Sequence, residues 1–193
     1  MRNFTEEQNM FRDAYRKFLE TEIAPNVERW REQNIVDRED FEKAGEQGFL
    51  MIWPEDQYGG LGDRDFRYEQ IIIEENARAG TGEWFATLHS RLVGPYIDHF
   101  GSEEQKQRWL PDCASGKKIL AIAMTEPDAG SDLAGMRATL REDGDHFILN
   151  GSKTFISNGI NADLIIVAGK SDPENNPHAM TLCVVERGME GFE

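Results

Sequence analysis

The chain changes character at "ILAIAMTEPDAGSD", residues 119–132. The run Ile119 to Met124 is short, apolar and bounded by polar residues, as a buried strand is. It leads into a loop of small side chains with hydroxyls at Thr125 and Ser131, carboxylates at Glu126 and Asp132, and Pro127 to stiffen the turn. Before this stretch apolar residues recur at helical spacing; after it they gather in short runs. A helical domain, 1–117, is therefore expected to precede a β domain, 118–193.

The helical half carries its own start and stop signals. Thr5 with Gln8 has the form of a capping box and opens a stripe of Phe11, Ala14, Tyr15, Phe18 and Leu19, expected to end near Pro25. Helical spacing returns around Val27 and Trp30, over 40–47 with Gly48 as a C-terminal stop, and over 66–79. Ser102 with Gln105 repeats the capping box, and Pro111 is expected to stop that helix.

The β half reads as "ILAIAM", "HFILN", "KTFIS", "DLIIVAG" and "MTLCVVE", separated by turn pairs such as Asn150-Gly151 and Asn158-Gly159. No helical stretch lies between these runs, so a parallel βαβ sheet is disfavoured. The expected fold class is α+β: an all-helical N-terminal domain followed by an antiparallel sandwich or barrel. The chain stops just after a strand, at "ERGMEGFE", which leaves a sheet edge uncovered. Further chain is expected beyond it.

Composition narrows the function. With 36 acidic and 21 basic residues the formal charge is −15, which argues against a nucleic-acid partner. No run of about 18 apolar residues is present, so no membrane span is expected. The N-terminus lacks a secretory h-region and is too acidic for a transit peptide, which points to a bacterial cytoplasm. Cys113 and Cys183 read as free thiols, and the four histidines show no metal-ligand spacing, so no metal is expected.

Two loops concentrate ligand-binding chemistry. "AMTEPDAGSD" (123–132) reads equally as a ligand loop at the junction of two domains or as a plain acidic cap on a sheet. No G-x-G-x-x-G follows a strand, so a dinucleotide fingerprint is not supported. In "KTFISNG" (153–159), strand alternation would turn Phe155 and Ser157 to one face, where a planar ligand could stack on the ring and bond the hydroxyl. A plain hairpin with a core phenylalanine fits that segment too.

Taken together these motifs resemble the acyl-CoA dehydrogenases, along the whole chain. The resemblance runs through "FTEEQNMFRDAYRKFLETEIAP", "WPEDQYGGLG", "LHSRLVGPYIDHFGSEEQKQRWLPDCASG", "AMTEPDAGSD", "LNGSKTFISNG" and "VVERGMEGFE". It implies a helical domain and most of a middle β domain, ahead of a C-terminal four-helix bundle. It implies FAD as cofactor, held by Ile122, Ala123, Met124, Thr125, Glu126, Pro127, Asp128, Ala129, Gly130 and Ser131, and by Phe155, Ile156 and Ser157. In that resemblance Thr125 bonds the flavin ring, Phe155 stacks on it, and Ser157 bonds its N5. Ser131 lies between flavin and substrate, and Pro177 with His178 lies near the CoA chain. Asp128 stands where many relatives carry glycine.

The activity implied is α,β-dehydrogenation of fatty acyl-CoA thioesters to trans-2-enoyl-CoA, as in fatty acid β-oxidation, with electrons passed to an electron-transfer flavoprotein. The similarity is nearest to long-chain members. The family's base is a glutamate of the C-terminal bundle, so no catalytic residue is assigned here, and Glu126 is not nominated. The chain alone is expected to be inactive and to bind FAD weakly; at full length a homotetramer or homodimer is expected. An acyl-CoA oxidase, another flavoprotein of the same fold, and a non-catalytic acyl-CoA or protein-binding module are the competing readings.

Overall fold

The computed structural model describes residues 4–174, 176 and 178–193. Its contacts divide the chain into two units, Met1–Ile119 and Leu120–Glu193.

The first unit is helical. α1 spans Glu6–Phe18, and its cap is the reciprocal pair expected, with Thr5 accepting from the Gln8 amide and Gln8 accepting from the Thr5 amide. A π-helical turn, Leu19–Ile23, carries the chain into Ala24–Asn26, where Pro25 occupies a first-turn position and its missing N–H costs nothing. α2 (Val27–Gln33) follows, then α3 (Arg38–Glu46), after which Gly48 takes φ 71°. α4 covers Phe66–Ala79 and ends at left-handed Gly80. Its Glu75 receives both Arg12 and Arg16 of α1, at 2.9 and 2.8 Å.

A second π-helical segment, Leu88–Val93, leads into α5 (Gly94–Phe100), and α6 covers Glu103–Ala114. Pro111 does not stop α6. It lies inside the helix, three residues before its end, where it has no N–H to donate to the preceding turn, and its carbonyl still accepts the Ser115 amide at 3.0 Å. The core is aromatic: Phe49 meets Tyr15 and Phe18 at 5.0 and 5.2 Å, and Phe41 meets Trp84 at 4.6 Å.

The second unit is a five-stranded sheet of β1 (Leu120–Ala123), β2 (Thr139–Asp143), β3 (His146–Asn150), β4 (Leu164–Lys170) and β5 (Met180–Glu186). It is mixed, which corrects the expected antiparallel sandwich or barrel. β2–β3 and β4–β5 are antiparallel, but β4 runs parallel to β1, from Leu120↔Leu164 to Ala123↔Val167, and to β2 at Thr139↔Lys170. Parallel pairing needs a long return connection, usually a helix. Here residues 124–163, which include the β2–β3 hairpin and both candidate loops, make that return with a single 3-10 turn, Leu133–Gly135, and no α-helix.

β4 lies between β5 on one side and β1 and β2 on the other, and all but its last residue are buried, as in a central strand. Ala121, Ala123, Ile165 and Val167 form one apolar cluster with Ala162; Met136, Ala138 and Ala168 form another. Two strand readings also change. Thr139–Asp143, too polar to be recognised, is a strand, and Lys153–Ser157 is not one.

Candidate functional site

β1 ends at Ala123, and the backbone leaves the sheet with Met124 half-buried against Met136 and Ala138. Glu126 and Ala129 then bond each other's backbones at 2.8 and 3.2 Å, closing Pro127 and Asp128 into a two-residue turn. Asp128 is absent from the residues at positive φ, so aspartate in place of glycine puts no strain on this turn. Its carboxylate reaches exposed Arg137 at 3.0 Å, a surface pair of little energetic weight.

The Glu126 carboxylate is not available to a ligand. It accepts the amides of Arg137 and Ala138 at 2.6 and 2.9 Å and the Lys153 ammonium at 2.9 Å. Burial pushes this carboxyl up, but Lys153 and the two amides outweigh it and hold it below the usual glutamate value. Lys153 also donates to the Met124 carbonyl at 3.0 Å. The next residue adds a backbone bond, from the Thr154 amide to the Thr125 carbonyl at 3.0 Å. The two loops are thereby fastened edge to edge.

Beyond that seam the second loop turns sharply. Phe155 takes φ 56°, a left-handed conformation rare for an aromatic residue, and the residue is 91% exposed. Strand alternation therefore does not place Phe155 and Ser157; a kinked backbone does. Ile156 packs against the cluster around Ala121, and its carbonyl accepts the Gly159 amide at 2.9 Å. Asn158, at φ 62°, anchors the far end by donating to the Leu120 carbonyl at 3.3 Å.

The remaining candidates divide clearly. Ile122, Thr125 and Ser157 are half-buried, Ala123 and Ala129 are buried, and Pro127, Gly130 and Ser131 are exposed. Among the described residues the hydroxyls of Thr125, Ser131 and Ser157 have no hydrogen-bond partner, whereas Asp132 caps Leu133–Gly135 through the Ala134 amide. Pro177 lies outside the described residues. His178 is exposed, with its amide on Asn176 Oδ1 at 3.3 Å, and nothing among the described residues bonds it to either loop. No metal-binding group of three His, Cys, Asp or Glu gathers among them.

A polar cavity of about 360 Å3 lies beside the first loop, lined by Glu126–Asp128, Arg137–Thr139 and Asn150–Ser152. Lys153 and Arg137 were not candidates on sequence grounds. Lysine two residues before an exposed aromatic carries no local signal, since its partners are 27 and 29 positions away.

An acyl-CoA dehydrogenase N-terminal domain matches residues 5–117, and an acyl-CoA dehydrogenase middle domain matches residues 121–193. The mitochondrial long-chain specific acyl-CoA dehydrogenase of Sus scrofa is 45% identical over 99% of this chain and 45% of its own length. A crystal structure of an acyl-CoA dehydrogenase from Geobacillus kaustophilus matches with TM-score 0.93 and 50% identity, over 98% of this chain and 50% of that one. That of an acyl-CoA dehydrogenase from Bacillus anthracis, complexed with FAD, matches with TM-score 0.87 and 34% identity, over 98% and 33%. The chain spans about half the length of the curated relatives it matches, 45% for the porcine protein.

Proposed function

The chain belongs to the acyl-CoA dehydrogenase family, and on that premise we propose that it forms the flavin-facing part of an enzyme that oxidises fatty acyl-CoA thioesters to trans-2-enoyl-CoA. The cofactor is FAD and the electron acceptor an electron-transfer flavoprotein. The protein works at full length, as a homotetramer or homodimer in a bacterial cytoplasm, on long acyl chains.

One observation carries this reading. Two loops are stitched together by Lys153, Glu126 and the Thr125–Thr154 backbone bond, and they carry an exposed Phe155 and the hydroxyls of Thr125, Ser131 and Ser157, which have no hydrogen-bond partner among the described residues. A planar heteroaromatic ligand with a polar edge suits that set: an apolar face to stack on and hydroxyls able to donate or accept. When bound, FAD supplies the acceptor for the hydride that leaves the β carbon. The protein binds, orients and tunes the group that does this chemistry.

Within that assignment Thr125 and Ser157 bond the polar edge of the flavin, and Phe155 covers one face. Ser131, at the outer end of the first loop, stands between flavin and thioester. Ile122–Ala129 supply backbone and packing around them. Glu126 takes no part in proton abstraction, because its oxygens are held by Lys153 and two amides. The base that removes the α proton is not assigned to any residue of this chain.

The test is the absorption spectrum of the full-length protein. Flavin bands bleached by saturated acyl-CoAs, most completely by long chains, are the expected result. A colourless protein that takes up no FAD, or bound flavin that no acyl-CoA reduces, overturns the reading.

A further inference from the structure

Lys153 stands out among the charged residues of the β unit because its side chain is nearly buried although it is not among the residues assigned to the cofactor. Its side chain is 10% exposed and that of its partner Glu126 is 4% exposed. Burying such a pair is costly unless every remaining hydrogen-bonding site is met. Here Glu126 meets its share with two amides and the ammonium, and Lys153 has Glu126 and the Met124 carbonyl. A simple sheet-to-loop turn does not need so expensive an arrangement.

The bonds explain what it is for. Met124 and Glu126 flank Thr125 on either side, and Lys153 holds both. Thr125 itself is tied through its carbonyl to Thr154, the residue after Lys153. One ammonium therefore holds the Met124 backbone on one side of Thr125 and the Glu126 side chain on the other and, two residues along its own stretch of chain, the approach to Phe155. Ile156 and Asn158 anchor the far side of that loop at the Ala121 cluster and the Leu120 carbonyl. Phe155 projects between two pinned ends.

We propose that Lys153 is a positioning residue, which sets the spacing between the Thr125 hydroxyl and the Phe155–Ser157 segment by clamping both loops through Met124 and Glu126. The proposal rests on the assignment of these loops to the flavin. Lys153 is not among the residues assigned to contact the cofactor. It acts through the residues that do, and a site whose supporting bonds are lost is present but loose.

The experiment uses the full-length holoprotein. Lys153→Met keeps an unbranched apolar side chain one atom shorter and removes both bonds. It is expected to fold, and to weaken FAD binding by about tenfold or more, since misplacement is felt at every contact the loops make. Amide hydrogen exchange without added flavin reads the clamp directly, and protection at 124–126 and 154–157 is expected to fall together. A structural role elsewhere would not link those two segments. In a double-mutant cycle Thr125→Ala is expected to weaken FAD binding in the wild type and to add little in Lys153→Met, because the hydroxyl is already misplaced.

Unchanged protection in both segments, or FAD-binding losses that simply add, overturns the proposal. Where Lys153→Met does not fold, Glu126→Gln is read in the same way: it removes the charge partner, leaves Lys153 on Met124, and is expected to give a smaller loss in the same direction. A wild type that binds no FAD refutes the flavin assignment instead, and the exchange measurement still decides whether the clamp exists.

Discussion

Gly151 and Ala138 approach so closely that a Cβ at position 151 would stand 2.6 Å from the Ala138 Cβ and 2.8 Å from its Cα. Ala138 has no room to yield. Its amide donates to Glu126 at 2.9 Å and its carbonyl accepts Lys170 at 2.8 Å, so it joins the first loop to β4. Gly151 also sits at φ 155°, outside the usual range of an L-residue. Gly151→Ala is accordingly expected to destabilise the protein by about 1–3 kcal/mol, the usual range for overpacking. Thermal or urea unfolding reads this, and a variant as stable as wild type would show the contact to be soft.

Glu126 makes stability depend on acid. Its carboxyl is held below the ordinary value in the fold, by Lys153 and the amides of Arg137 and Ala138 acting against burial. A depressed carboxylate stabilises fully above its unfolded pKa, about 4.3, and that contribution is lost as pH falls through the lower folded value. Glu126→Gln should therefore be markedly less stable than wild type at pH 7, and the gap should close only in the acid limb below about pH 4. A gap independent of pH down to about pH 3 would contradict the assignment.

Glu69 on α4 has the opposite sign. It is buried, its Oε2 finds no partner among the described residues, and burial raises its pKa against the lowering effect of Arg91. A raised carboxyl stabilises fully below its unfolded pKa and loses that contribution as pH rises through the folded value. At pH 7, above the unfolded pKa, the group therefore lowers stability. Glu69→Gln is expected to stabilise the protein by about 1 kcal/mol at pH 7, with no gain near pH 4. Destabilisation at pH 7 would mean that the carboxylate is paired after all.

Phe155 holds a left-handed backbone while the residue lies almost wholly exposed. Such strain costs about 1–2 kcal/mol for a residue with a Cβ. Phe155→Gly relieves it and surrenders little packing, although glycine gives back part of the gain through unfolded-state entropy. In the absence of flavin the variant is expected to be as stable as wild type or slightly more so. In the full-length protein it should retain FAD less well. Loss of stability without flavin would show that the ring packs where it is seen exposed.

Ser157 is half-buried and its hydroxyl bonds no protein atom among the described residues. Ser157→Ala should thus leave the fold unchanged. In the full-length enzyme, stopped-flow bleaching by excess acyl-CoA is expected to slow by roughly ten- to a hundredfold, the equivalent of one hydrogen bond that strengthens in the transition state. Ser157→Thr should be nearly neutral. Wild-type reduction by Ser157→Ala with flavin fully bound would remove Ser157 from the site.

The sequence by itself determined the features that depend on near neighbours. The capping boxes at Thr5/Gln8 and Ser102/Gln105 formed because each joins groups three residues apart, and α4 covers 66–79 because its apolar spacing and Gly80 act locally. The change from helical to strand spacing at Ile119 was legible for the same reason. The motifs of the two loops named the family, since they are contiguous in the chain.

Only the tertiary structure decided how those pieces meet. β1 runs parallel to β4 because β4 pairs along both sides and takes β1 and β2 on one of them, a choice that no short pattern encodes. Pro111 stays within α6 because the burial of Trp109, Leu110, Cys113 and Ala114 around it outweighs the missing donor. Phe155 leaves the expected strand because Thr154 bonds Thr125 instead of a neighbouring strand. Glu126 changed from a loop carboxylate open to a ligand into one that Lys153 and two amides fully occupy. Each of these outcomes rests on a partner at least eleven residues away or on a position within a finished element, and local propensity carries no information about either.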